Sequence, residues 1–361
     1  MKKRILSCFM ALALCLTLLP ATALAADAHT HPICGKTCSH TTTQHPDNTF
    51  ETKLYSESGD YSWHTKKGMG SAEKLELDTT NNQWKLPAGN YYLDGDTNDI
   101  YKTERTIKIT GNVTICLNGK EIQKTKGDAT PVFEVPSGLT LTLTDCKPGG
   151  KVTCGTTSID SGSGVYVGSS GTFNLYEGQI TGNKGQEGEN ADRYGGGVYV
   201  SGGTFNMYGG AITENTASYG GGVYVKSGTF NMNGGTIKSN TSNKGGGDGS
   251  GGAGVYVEKN GKFIMNNNAI VTGNTIARKS NGGGVYVNGG TFTMNGTSSV
   301  ASNQVNFHEG TFNGGGVYVS DGTFEMHNNA SVTGNKAIGN GVTLNGAGVY
   351  VSGKSSKFEM N

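Results

Sequence analysis

From about residue 87 onward the apolar residues fall in short runs that alternate with polar ones. Val198-Tyr-Val200, Phe205-Asn-Met207 and Ile212 are typical, with Gly, Ser, Thr and Asn between the runs. A period of two sends alternate side chains to opposite faces of a strand. The unit therefore predicts three short strands joined by turns, with Val, Val, Phe, Met and Ile facing inward. No twelve-residue stretch carries the 3.6-residue period of an amphipathic helix.

The unit repeats. Val-Tyr-Val after a glycine occurs seven times, with its tyrosines at Tyr166, Tyr199, Tyr224, Tyr256, Tyr286, Tyr318 and Tyr350, mostly 30–33 residues apart with one interval of 25. Phe-x-Met or a close variant follows, from Phe173/Leu175 to Phe358/Met360. Then comes Ile or Val with Asn three positions on: Asn183, Asn215, Asn240, Asn274, Asn303 and Asn335. One unit leaves its strand edges open and cannot bury five apolar side chains. Stacking at about 4.8 Å pairs each strand with its equivalent above and below. Two less regular units precede, over Thr106–Gln123 and Pro131–Thr153. The predicted fold is an all-β, single-stranded parallel β-helix of three short strands per coil and about nine coils, over residues 87–361, after an irregular N-terminal segment.

Composition fits this architecture. Glycine accounts for 60 of 361 residues and proline for 7, and no Gly-X-Y period marks a collagen. The glycine triplets, such as Gly195-Gly196-Gly197, precede the Val-Tyr-Val strand and predict tight turns with positive φ. The Asn column predicts an amide ladder between coils, with Asn also suited to left-handed turns. Net charge is +1 and only 16% of residues are charged, so bulk electrostatics give no attraction for nucleic acid or an anionic membrane.

The first 25 residues read as a secretory signal peptide: Lys2, Lys3 and Arg4, an apolar stretch from Ile5 to Leu19, and Ala23-Leu24-Ala25 before Ala26. The mature chain is expected outside the cell, secreted or on the surface, with no transmembrane segment. Residues 26–86 read as a His/Cys-containing polar linker or cap. Within it His29, His31, Cys34, Cys38 and His40 are candidate metal ligands, with a local disulfide as the alternative. Five cysteines remain after export; Cys146 and Cys154 flank Gly149-Gly150 and could pair, but spacing leaves connectivity open.

The Gly-Gly-Gly-Val-Tyr-Val, Thr-Phe-Asn-Met and Ile-Thr-x-Asn units, with Val113-Thr-Ile-Cys-Leu-Asn-Gly119, resemble right-handed parallel β-helix proteins of the pectin-lyase-like superfamily. They look most like exported, adhesin-like surface repeat proteins of Gram-positive anaerobic bacteria. That resemblance, with the general crossover preference, implies right-handed coils. It also implies a non-catalytic surface protein, an adhesin or spacer meeting host or microbial glycan or protein, with no cofactor. The alternative within the superfamily is a polysaccharide lyase or glycoside hydrolase, whose chemistry needs clustered carboxylates.

If the valines face inward, the seven tyrosines form an outward stripe able to meet a sugar or a partner protein; stacking that pins register is the plainer account. Glu325 and Glu359 share an outward position one coil apart. Asp94-Gly-Asp-Thr-Asn98 opens like a calcium loop but lacks its later Gly and Glu. Gly348-x4-Gly353-Lys354-Ser355 matches a phosphate-loop pattern, yet its interior is the seventh Val-Tyr-Val strand. The sequence ends inside the seventh unit, from which a C-terminal truncation and end-to-end self-association are expected.

Overall fold

The computed structural model describes residues 29–30, 37–38, 52–56, 63–67 and 72–361, apart from 94–99, 156–161, 188–192, 244–249, 279, 307–309 and 340–341. The expected signal peptide lies outside the described residues. The fold is all-β: a right-handed parallel β-solenoid with about seven regular turns. The expected nine coils are corrected to that number because the leading turns lack both the glycine triplet and Val-Tyr-Val. They still continue the sheets: Phe133–Val135 pairs in parallel with Val165–Val167, and the third strands form one nine-stranded sheet.

The alternating pattern sets the register. Val198 pairs with Val223, Phe205 with Phe230 and Met207 with Met232, and the same matching runs from coil to coil. In three coils the first two strands merge into one, as in Val198–Met207 and Val223–Met232. The third strand is short, as in Ala211–Thr213. A fourth strand, not foreseen from the sequence, follows the Asn: Thr216–Ala217, Thr241–Ser242, Thr275–Ile276, Gln304–Asn306 and Lys336–Ile338 form a five-stranded sheet. Two-residue strands with small or mixed residues carry too little periodicity to be seen.

All five inward positions of a regular coil are fully buried, for example Val198, Val200, Phe205, Met207 and Ile212. At about 1.5–3 kcal/mol for each side chain removed from water, this column is the main source of stability. The phenylalanines stack face to face up the axis, with centroids 4.5 Å apart for Phe205–Phe230 and 4.8 Å for Phe263–Phe292.

The Asn column is an amide ladder inside the wall. Asn215 is fully buried; its backbone N–H and Nδ2 both donate to Oδ1 of Asn240, at 3.0 Å each, and Nδ2 also donates to the Ile180 carbonyl at 2.9 Å. Each such Asn thus ties three consecutive coils. The left-handed residue is the one before it: Glu214, Ser239 and Ser302 have φ of 57°, 56° and 56°, and Gly182, Gly273 and Gly334 take that place in the other coils. A second set of amides runs on the outside with the opposite sense. Asn206 donates to Asn174, Asn231 to Asn206, and Asn345 to Asn313, each later coil donating to the earlier one.

The glycine triplets do what their position suggests. Gly195 has φ +58°, and a Cβ on Gly197 would lie 2.7 Å from the Gly222 carbonyl oxygen and 3.0 Å from Asn215 Nδ2.

The solenoid begins before residue 87. Gln83–Leu86 already pairs with Ile107–Ile109, and Thr52–Ser56 lies in parallel beside Gly89–Leu93. Trp63–Lys67 and Ala72–Lys74 add antiparallel strands to that edge. Leu54, Trp84 and Leu86 join the main core, so this part of the expected linker or cap covers the first rung.

Candidate functional site

The seven repeat tyrosines form a continuous column. Ring centroids are 5.3 Å apart for Tyr166–Tyr199, 4.9 Å for Tyr256–Tyr286 and 4.6 Å for Tyr286–Tyr318. Only part of it meets solvent. Tyr224, Tyr256, Tyr286 and Tyr318 are 3–8% exposed, whereas Tyr166, Tyr199 and Tyr350 are half-buried. The turn leading into each strand folds against the rings: Tyr194 stacks on Tyr219 with centroids 5.0 Å apart and packs 4.9 Å from Tyr224. Several buried hydroxyls bond to the residue after Val-Tyr-Val in the next coil. Tyr224 donates to Glu258 at 2.5 Å, Tyr256 accepts from Asn288 at 2.8 Å, and Tyr318 pairs with Ser352 at 3.0 Å. Burial pushes the Tyr199 hydroxyl up to about 12, and Tyr224 and Tyr256 higher still. Half-exposed rings gather at the N-terminal end of the column: Tyr166, Tyr194, Tyr199 and Tyr219. Tyr194 and Tyr219 each stand directly before a glycine triplet, in identical Tyr-Gly-Gly-Gly-Val-Tyr-Val strings, and pair in parallel as register partners.

The carboxylates expected to face each other do so, but each has another partner. Glu325 and Glu359 are register neighbours; His327 Nε2 lies 3.6 Å from Glu325, and Lys357 Nζ lies 2.6 Å from Glu359.

A different acid pair is more secluded. Leu143 pairs with Leu175, and two residues further on Asp145 and Glu177 occupy the same corner of consecutive coils. Both line a cavity of about 230 Å³ with Pro148, Gln179, Gly210 and Ala211. Asp145 is 4% exposed; it accepts hydrogen bonds from the backbone N–H of Gly119 and of Gly150, each at 2.7 Å. Burial pushes its carboxyl up to about 6 against the pull of those amides. Burial, and then the Asp145 charge, push Glu177 up to about 7. Next to the pair, Tyr176 and Tyr208 stack with centroids 4.6 Å apart. Aligning Leu143 with Leu175 in the sequence would have found the pair; a comparison confined to aspartates of the regular coils passes over it.

Of the candidate metal ligands, His29 and Cys38 are register partners in a two-stranded antiparallel ribbon, while His31, Cys34 and His40 lie outside the described residues. Among the described residues no three His, Cys, Asp or Glu side chains converge. The calcium-like segment from Asp94 also falls mostly outside them. Val349–Ser352 pairs in parallel with Val317–Ser320, so the phosphate-loop match is a rung of the solenoid. Cys154 keeps a free, buried thiol, so the Cys146–Cys154 bridge is not formed; Cys146 is in a disulfide, and its Sγ accepts from the Cys116 thiol at 3.2 Å. Among the described residues no helix is long and apolar enough to cross a membrane.

Compared with protein-family models, with curated proteins and with solved structures, the chain matches none. The likeness to pectin-lyase-like and surface repeat proteins therefore rests on the repeat motifs alone.

Proposed function

We propose that the chain is an exported, surface-displayed β-solenoid that acts as an adhesin-like scaffold or spacer and meets glycan or protein ligands through its side. The observation that carries this reading is the division of labour among positions. Most of what recurs from coil to coil is used inside: the five core residues, the inner Asn amides, the third glycine and the central tyrosines. What varies in length leaves the solenoid at one corner, between the fourth strand and the glycine turn, beside the half-exposed tyrosines. Only 2 residues separate Ala217 from Gly220, whereas 9 separate Ser242 from the equivalent Gly252. Flat aromatic rings beside polar loops suit sugar faces and protein side chains alike. A glycan-array and cell-binding screen tests the reading. Binding weakened about tenfold or more by the pair Tyr166→Ser and Tyr199→Ser, with the melting temperature little changed, supports it; no binding to any surface leaves a spacer.

One observation favours a second reading, an enzyme acting on polysaccharide. A carboxyl held protonated near neutral pH beside a second carboxyl is what glycosidic-bond cleavage needs, and Glu177 with Asp145 offers it. Release of reducing ends from polysaccharides, abolished by Glu177→Gln, would replace the first reading with this one.

A further inference from the structure

We propose that Cys116 and Cys146 form a thiol–disulfide exchange centre: the Cys116 thiol takes over the bond that Cys146 now makes, moving the crosslink onto the joint between two consecutive coils. It depends on neither functional reading above.

The fold brings the two sulfurs together. Val113–Cys116 pairs in parallel with Thr140–Thr144, with Cys116 opposite Thr144. The pairing continues to the corner, where the Leu117 N–H donates to the Thr144 carbonyl at 2.8 Å. There both coils turn: Asn118 and Gly119 take φ of 52° and 74°, and Gly149 takes 113° one coil later. Asp145 locks these turns to each other. Its carboxyl accepts from the backbone N–H of Gly119 in one coil and of Gly150 in its own, each at 2.7 Å. Cys146, the next residue, is thereby held beside Cys116, its Sγ 3.2 Å from the Cys116 thiol.

Their oxidation states differ. Cys146 is in a disulfide, whereas Cys116 keeps its thiol. A nucleophile thus already touches the sulfur it would attack. Cys116 is fully buried and Cys146 is 6% exposed, so an outside thiol has little access and the inside one has no distance to cover. Such an internal thiol acts at an effective concentration on the order of mM or more. Cys154 provides the contrast: it too is a buried thiol, but it lies opposite Lys124 on the sheet of third strands rather than beside a disulfide sulfur.

The step conserves electrons. Cys116 gives up its proton, and the thiolate attacks Cys146 Sγ. A Cys116–Cys146 bond forms as the present bond of Cys146 breaks; the departing sulfur leaves with the electron pair and takes up the proton. One thiol and one disulfide stand on each side, so neither oxidant nor reductant is consumed. Afterwards the disulfide staples the coil of Val113–Cys116 to that of Thr140–Thr144, and the former partner of Cys146 carries the reactive thiol.

The test is a disulfide map of the whole chain held in a glutathione redox buffer, quenched in acid, alkylated and digested. A Cys116–Cys146 linked peptide should appear, and rise and fall together with an alkylated thiol on the former partner of Cys146, while Cys154 stays alkylated throughout. At about 0.1 mM glutathione, release of that partner should be about tenfold or more slower in Cys116→Ser than in the wild type. If Cys116 remains a thiol and Cys146 keeps its partner at every glutathione ratio, the proposal is overturned. Capture of Cys146 by glutathione with Cys116 untouched, or equal release rates in both proteins, would overturn it too. The wild-type map decides by itself, so a poorly folded variant leaves the test intact.

Discussion

At the scale of single residues the strongest constraint is the buried amide column. Asn240 accepts from both the backbone N–H and Nδ2 of Asn215, so Asn240→Ala orphans the buried N–H and leaves Nδ2 with only the Ile180 carbonyl. An orphaned buried donor costs about 1–3 kcal/mol, and denaturant titration should show a loss of at least that size. Asn240→Asp gives a sharper test. Ionised, it faces Asn274 Oδ1 with a repelling oxygen; protonated, it can donate there again. Its destabilisation should be larger at pH 7 than at pH 4. The residue before each ladder Asn offers the reverse opportunity. Ser302 is exposed and sits at φ 56°, while Gly273 at the equivalent place has nothing within 4 Å of a would-be Cβ. Ser302→Gly should raise stability by about 0.5–1 kcal/mol, since the left-handed region penalises a side chain.

At the scale of elements, a rung is worth what its neighbours above and below make of it. Phe230 is fully buried between Phe205 and Phe263. Phe230→Ala should therefore cost about 3–5 kcal/mol, measured by denaturant unfolding. The strands most legible in the sequence were those with a hydrophobic reward for alternation, Val-x-Val and Phe-x-Met. The fourth strand escaped because Thr216–Ala217 and Thr241–Ser242 hold themselves by backbone pairing and bury small side chains. The left-handed turn was assigned one residue late for a similar reason: Glu, Ser and Gly share a backbone angle there but no side-chain chemistry.

For the whole molecule, the repeat fixed the architecture, and stacking then decided what the repeat could not say. The tyrosines alternate outward as expected, yet stacking brings each glycine turn down over the central rings, so a column legible as a stripe is mostly covered. Asp145 and Glu177 share a corner only because the irregular coil that carries Asp145 keeps the register of the first regular one. At the N-terminal end, Thr52–Ser56 and its antiparallel partners close off an edge that would otherwise pair with another chain. Leu54→Lys should loosen that cover, and light scattering should then show concentration-dependent oligomers. The two sets of Asn amides bring a last consequence. The inner amides donate to the side chains of later coils and the outer ones to those of earlier coils, so the two sets run in opposite senses along the axis. A regular coil inserted into or removed from the middle leaves the inner ladder continuous, since every rung from Asn183 to Asn335 offers the same amide. Length is thus a free variable of this design: reach can be set by copying or deleting a unit, without re-engineering any other part.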